Sequence, residues 1–168
     1  CEDVALVTAL LREIKKARFK HPGVQSLEVK CMGLEARAAE ADGSGQAAAT
    51  PDKVDVAVAE DHNMIILSDR GVDADNVPIP ALMAVAGVHH HLVRLETRTH
   101  IGLALESGEA REVHHFCLLL GYGAQAINPY MAFEGINDMI RENMLEAYSY
   151  EEAEERYIYG AIKGIIKV

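Results

Sequence analysis

MIILSDR (64–70), IPALMAVAGVHHHLVRLE (79–96) and THIGLALES (99–107) follow one another in the middle of the chain. The first and third are short apolar runs that end in polar residues. The second repeats its apolar positions with helical period, with Pro80 in its first turn. The alternation then repeats in EAREVHHFCLLLG (109–121) and AQAINPY (124–130). We read a second helix whose first turn sets Glu109 and Glu112 against the dipole and whose C′ residue is Gly121, followed by a third strand. The order is βαβαβ. Crossovers of this length require parallel strands, and helices covering the sheet let those strands be apolar on both faces. The expected fold is α/β, a parallel βαβαβ sheet flanked by helices, forming a partial Rossmann-like or half-barrel-like layer.

Outward from this core the pattern is less regular. Val7, Leu10, Leu11 and Ile14 recur at helical spacing before HPG at 21–23, and SLEVKCM reads as a short strand. The stretch 33–53 is Ala-rich, with a GSG and a TP, and reads as a flexible connection. After a shorter helix around Ile136–Asn143, Ser149 and Glu152 have capping-box spacing. They open a terminal helix with Ile158, Ala161, Ile162, Ile165 and Val168 on one face. The expected divisions are therefore 1–32, 33–53, a core over 54–148, and a terminal helix over 149–168. The Cys at position 1 and the apolar end of that helix suggest a piece of a longer protein.

At 168 residues and 49% hydrophobic, the chain can bury one core of ordinary size. A net charge of −10 and a pI near 5.2 offer no basic face to nucleic acid. Cys1, Cys31 and Cys117 share no CxxC spacing and read as reduced thiols of a cytoplasmic protein. No apolar stretch is long enough to span a membrane, and no export signal opens the chain.

Several motifs resemble chemistry that their setting does not support. His89, His90 and His91 fan over roughly 200° of a helix and cannot all reach one ion. His114 and His115 lack the i, i+4 spacing of a helical zinc pair. Pairing of His89 with His114 or His115 across helices remains as a metal alternative, against packed or interfacial histidines, and we assign no metal site. GYGAQA (121–126) has the letters of a dinucleotide fingerprint but follows a helix and opens a strand, the reverse of what a pyrophosphate needs. In DRGVDADNVP, Val77 and Pro78 occupy calcium-loop positions that require a ligand and a glycine, so it reads as a solvated turn. The more promising positions lie beyond the carboxyl ends of the strands, where parallel α/β proteins collect ligands. There stand Ser68, Asp69 and Arg70, then Glu106, Ser107 and Glu109, then Asn128 and Tyr130. Ser107 as an N-cap and an Asp69–Arg70 ion pair are the purely structural alternative.

The run ILSDRGVDADNVPIPALMAVAGVHHHLVRLETRTHIGLALESGEAREVHHFCLLLGYGAQAINPYMAFE closely resembles the central domain of the glutamate synthase large (alpha) subunit, ferredoxin- or NADPH-dependent. The likeness is dense from about Asn63 to Glu134 and continues through YEEAEERYIYGAIKGIIKV. It covers about two thirds of the chain, is loose before about Ala57, and the 33–53 stretch departs from the pattern. The resemblance implies a fragment of an oxidoreductase that makes glutamate from glutamine and 2-oxoglutarate. In it a linking domain supports an ammonia channel between a glutaminase domain and an FMN domain and has no catalytic residue of its own. It implies FMN and an iron–sulfur cluster in the parent enzyme, with none in this segment. The implied partners are the two flanking domains and a reductase subunit or ferredoxin. Cys1 is followed by EDVALV rather than a glycine-rich strand, so the glutaminase nucleophile is not carried over to it. His89, His90, His114, His115, Ile162 and Ile165 are the candidate interface residues. Two readings from other classes stand beside this one: a stand-alone α/β module binding a small ligand or anion at its strand ends, and a histidine-dependent metalloprotein.

Overall fold

The computed structural model describes residues 26–30, 32–33, 49–72 and 77–168. The helix expected before HPG, residues 34–48 and residues 73–76 in the middle of DRGVDADNVP lie outside them. In chain order the elements are β1 (Ser26–Lys30), β2 (Met32–Gly33), α1 (Ala49–Ala59), β3 (Met64–Ser68), β4 (Val77–Pro78) and α2 (Ala81–Arg94). They continue with β5 (Gly102–Glu106), α3 (Val113–Gly121), β6 (Ala126–Asn128), α4 (Tyr130–Arg141) and α5 (Tyr150–Lys167).

The main sheet has four strands in the order β1-β3-β5-β6, all pairs parallel. The expected three strands are joined by SLEVK, whose register sets Glu28 beside Ile66 and Lys30 beside Ser68. The order follows the chain without reversing. A doubly wound sheet needs a reversal to place helices on both faces, whereas right-handed crossovers in unbroken order put the connecting helices on one face. Of the two expected architectures, this is the half-barrel-like one. The helices form a continuous row, α1 against α2, α2 against α3, α3 against α5 and α5 against α4.

Strand residues alternate between the two faces. Ile65 and Leu67, Leu103 and Leu105, and Ile127 turn toward the helices, where Val54, Val85, Val88, Leu92, Phe116 and Leu119 complete the core. The other face carries Ile66, Ala104 and Ala126 in one row, and Ser68, Glu106 and Asn128 in the row at the carboxyl end.

Four helix ends share one device. After α1, α2, α3 and α4 the chain passes through a positive φ at Asp61, Glu96, Gly123 and Asn143. In each, the next residue's N–H reaches five residues back: His62 to Ala57, Thr97 to Leu92, Ala124 to Leu119, Met144 to Met139. These are Schellman closures. Gly121, expected at C′, is instead the last helical residue of α3, and Gly123 holds the left-handed position. At the start of α5 the capping box is present: Ser149 Oγ accepts from Glu152 N–H, and Glu152 accepts from Ser149 N–H.

Three boundaries differ from the sequence reading. Helix α1 begins at Ala49, so the TP that suggested a connection is a first helical turn, where proline is tolerated because its missing N–H has no partner there. Helix α4 begins at Tyr130 rather than near Ile136, and β6 ends at Asn128. Helix α3 begins at Val113, with no acidic residue in its first turn. Glu109 therefore does not face the dipole of α3. Its carboxylate accepts the N–H of Ala81 at the opening of α2, 3.0 Å away, supplying the acceptor that Pro80 cannot provide with a side chain. Finally, Val77–Pro78 pairs antiparallel with Met32–Gly33, so the expected solvated turn contributes a short ladder.

Candidate functional site

Pleating divides the tripeptide Ser68-Asp69-Arg70 between two sides of the sheet. Ser68 and Arg70 fall on the side of Glu106, and Asp69 on the side of Ser107. On the first side, Glu106 accepts three hydrogen bonds. Ser68 Oγ donates to Oε2 at 2.9 Å, and Arg70 Nε and Asn128 Nδ2 donate to Oε1 at 2.7 and 3.2 Å. Arg70 Nη1 also reaches Glu134 at 3.3 Å, and the guanidinium lies over the Tyr130 ring, 3.9 Å from its centroid. Partial burial pulls the Arg70 pKa down, but Glu106 and Glu134 outweigh it and leave the guanidinium held above its ordinary value.

On the second side, Asp69 is 7% exposed. It accepts from Ser107 Oγ at 2.8 Å and from Gly108 N–H at 2.9 and 3.1 Å, and the Tyr130 hydroxyl bonds to it as well. Burial, then Asp69, pushes the Tyr130 pKa up to about 12, so the phenol keeps its proton and remains a donor. Ser107 is not a helix N-cap; its Oγ accepts Glu109 N–H at 3.1 Å and tightens the loop before α3. Nor do Asp69 and Arg70 pair with each other. Each closes a different network.

Seven of the eight strand-end residues singled out by position are thus brought together: Ser68, Asp69, Arg70, Glu106, Ser107, Asn128 and Tyr130; the Glu109 carboxylate goes to the opening of α2 instead. Between them and α4 lies a cleft of about 260 Å³, lined by Arg70, Glu106, Asn128, Tyr130, Glu134 and Asn137, with Phe133 and Tyr150 completing it. The sequence reading missed Glu134, Asn137 and Tyr150. Its late start for α4 hid the first turns, where helical spacing from Tyr130 puts Glu134 and Asn137 on the same side. Asn128 is 3% exposed, and its Oδ1 accepts no hydrogen bond. A buried acceptor left unmatched costs about 1–3 kcal/mol.

A second cleft, apolar and about 60 Å³, lies between α3, β6, α4 and α5. It has room for roughly two waters. Ile162 and Ile165 line it beside Tyr157, which stands edge-on to Phe116 and Phe133. These two interface candidates therefore turn toward the chain's own helices, while Ile166 and Val168 are the exposed apolar residues at the end of α5.

The histidines separate. His89 Nδ1 accepts from Arg98 Nε at 3.0 Å, and Arg98 also donates to the carbonyls of Ile101 and Gly123 at 2.9 and 2.7 Å. This ties the end of α2 to the turn after α3. His90 is exposed and meets His89 edge-on; His91 bonds Asp55 of α1 at 2.7 Å. His115 accepts from Arg111 N–H at 3.2 Å, and His114 is exposed. Among the described residues, no group of three His, Cys, Asp or Glu side chains could hold a metal.

Desolvation, then the Arg98 and His90 charges, lowers the His89 pKa below 6.5. Folding therefore favours the neutral ring, and the unfolded chain binds more protons between the two pKa values. The contribution to stability is full above about 6.5 and is lost as pH falls through the lower, folded value. The His89 ring is expected to titrate below 6.5 by proton NMR, and His89→Gln to flatten the fall of melting temperature between about pH 7 and 5. A ring titrating above 6.5 would overturn the assignment of His89 as a neutral acceptor.

A family model described as the glutamate synthase central domain matches residues 3–168. The chain belongs to the glutamate synthase central domain family. It is 46% identical over 112 residues to the Bacillus subtilis "Glutamate synthase [NADPH] large chain", covering 67% of this chain and 7% of that protein. It is 44% identical over 117 residues to the Schizosaccharomyces pombe "Glutamate synthase [NADH]", covering 69% and 6%. To the "Ferredoxin-dependent glutamate synthase" of Pyropia yezoensis it is 33% identical over 123 residues, covering 67% and 8%. The chain thus spans less than a tenth of the length of these relatives. The family match reaches further toward the N-terminus than the dense likeness read from the residues.

Of the chain's three cysteines, only Cys117 lies among the described residues, where it is a free thiol half-buried on α3. The strand-end cleft does not suit a flavin phosphate. It has two carboxylates against one guanidinium already bound to both, which repels a phosphate. No helix among the described residues is long and apolar enough to cross a membrane.

Proposed function

We propose that this chain is the linking domain of a cytoplasmic glutamate synthase, joining the glutaminase and FMN domains and supporting an ammonia channel between them. It contributes rigidity and surfaces rather than catalytic groups. FMN and the iron–sulfur cluster belong to other segments of the parent enzyme, and so does contact with a reductase subunit or ferredoxin. The observation that carries this reading is the family match over residues 3–168. The internal bonding of the strand-end residues is consistent with it. Asp69 and Glu106 each spend their lone pairs on neighbouring loops and strands, which fixes geometry over a distance.

A channel delivers ammonia only while its walls keep register, so loosening the domain should uncouple the two reactions. In the full-length enzyme, Asp69→Asn is expected to make glutamine consumption outrun 2-oxoglutarate consumption. Glutaminase turnover and glutamate formation from added ammonium salts should persist. Loss of glutamate formation from added ammonium, with FMN retained, would overturn the linking role and place this domain in the synthase site itself. By the same reading, the 168-residue chain alone neither binds FMN nor hydrolyses glutamine.

A further inference from the structure

We infer that Arg98 and His89 form an acid-sensitive latch. It holds the turn between α3 and β6 against the end of α2 while the ring is neutral, and lets that turn go once the ring is protonated.

The latch is one side chain with three acceptors. Arg98 Nε donates to His89 Nδ1 at 3.0 Å, Nη1 to the Ile101 carbonyl at 2.9 Å and Nη2 to the Gly123 carbonyl at 2.7 Å. A guanidinium carries only donors and keeps its charge in proteins, so this geometry requires an unprotonated Nδ1. A proton there removes the acceptor and sets two cations in contact. The backbone N–H of Arg98 bonds the Leu92 carbonyl, so arginine and histidine both stay with the end of α2. The ring has no room to withdraw toward the turn, since a Cβ on Gly123 would already overlap it. The arginine side chain therefore relieves the repulsion, and the bond given up is the one that reaches furthest along the chain, to Gly123. From that turn the chain enters β6, which carries Asn128 to Glu106 in the strand-end network.

The surroundings of the ring set the direction of the response. Desolvation first, then the charges of Arg98 and His90, oppose a proton on it. Arg98 comes from the turn after α2 and His90 from α2 itself, and the turn after α3 meets the ring with the Gly123 backbone. None of these is a counter-ion for an imidazolium. His91 instead faces the Asp55 carboxylate of α1 at 2.7 Å, where a proton adds attraction. His89 is only half-buried, so protons from solvent reach it.

The latch does not depend on the linking role, and it is to be tested in the full-length glutamate synthase. Two turns of this domain share one hydrogen-bonded closure. After α3 the amides of Tyr122, Gly123 and Ala124 bond to the carbonyls of Leu118, Leu120 and Leu119. After α4 those of Glu142, Asn143 and Met144 bond to Asp138, Ile140 and Met139, with no histidine in the closure. Hydrogen–deuterium exchange of peptides over both turns, corrected for the intrinsic pH dependence of amide exchange, is to be followed from about pH 7.5 to about pH 5.5. Opening of the α3 turn is expected to rise below about pH 6.5, by up to about tenfold per pH unit, the limit for one linked proton. The α4 turn should stay constant. His89→Asn sets a neutral acceptor near the place of Nδ1 and should make the α3 turn as insensitive to pH as the α4 turn. A flat profile in the wild type, equal rises at the two turns, or an undiminished rise in His89→Asn would each overturn the latch. The comparison of the two turns is internal to the wild-type enzyme and needs no variant to fold.

Discussion

Replacing Asp69 with alanine is expected to destabilise the chain by about 3–5 kcal/mol, among the largest effects of any single polar substitution here. Its carboxylate holds three donors from two other segments: Ser107 Oγ, Gly108 N–H and the Tyr130 hydroxyl. Alanine removes every acceptor at once. Ser107 is fully buried and has no route to water, so the donors are stranded rather than rehydrated. The loop before α3 and the first residue of α4 would lose their common anchor. Asp69→Asn keeps one acceptor oxygen and should lose about half as much. The Tyr130 phenol provides an internal readout: its pKa of about 12 should fall in the alanine variant by the part due to Asp69, leaving the larger part due to burial. Urea denaturation and ultraviolet titration measure the two effects. A loss below about 1 kcal/mol would mean that solvent reaches these donors after all.

Gly123→Ala is expected to cost about 3 kcal/mol or more, through two separate penalties. Gly123 sits at φ +112, a conformation that side-chain-bearing residues rarely adopt. A Cβ there would also lie 2.7 Å from His89 Cγ and collide with the ring. That ring cannot retreat freely, because Arg98 holds it while bonding the Gly123 carbonyl. Gly121 is the natural control. It is the last helical residue of α3, and a Cβ there meets nothing within 4 Å. Gly121→Ala should be neutral or stabilise by up to about 1 kcal/mol through helix propensity. Equal effects at the two positions in chemical denaturation would refute the clamp. Loss of the Arg98–His89 bond, seen as a change in the His89 ring titration, should accompany Gly123→Ala alone.

The glycine pair also shows where sequence reading reaches its limit. GYG announces a helix stop, and the stop is there, but which glycine takes the left-handed turn depends on where the last hydrogen bond falls. That is settled by the packing of Leu119 and of His89, not by the letters. Glu109 shows the same thing at the other end of the helix. Its spacing suits a first turn, yet the pull of Asp69 on Gly108 shapes the loop, and the carboxylate serves α2 instead. The parallel core was legible because MIILS and GLALE are continuous apolar runs separated by a helical period. β1 was legible only as a weak strand, since SLEVK mixes charge with apolar residues and its place at the sheet is set by register. The seven strand-end residues were legible by position, because a parallel sheet leaves one end for polar side chains. Their division into two networks was not. It follows from the pleat, which sends Ser68 and Arg70 one way and Asp69 the other.

The unbroken strand order has a consequence for how the domain is made. Each strand of the main sheet pairs with the strand of that sheet synthesised just before it, β3 on β1, β5 on β3, β6 on β5. No gap is left for a later segment to fill, as a reversing sheet requires. The sheet can therefore be laid down in the order in which the ribosome delivers it, each new strand and its helix docking on a completed edge.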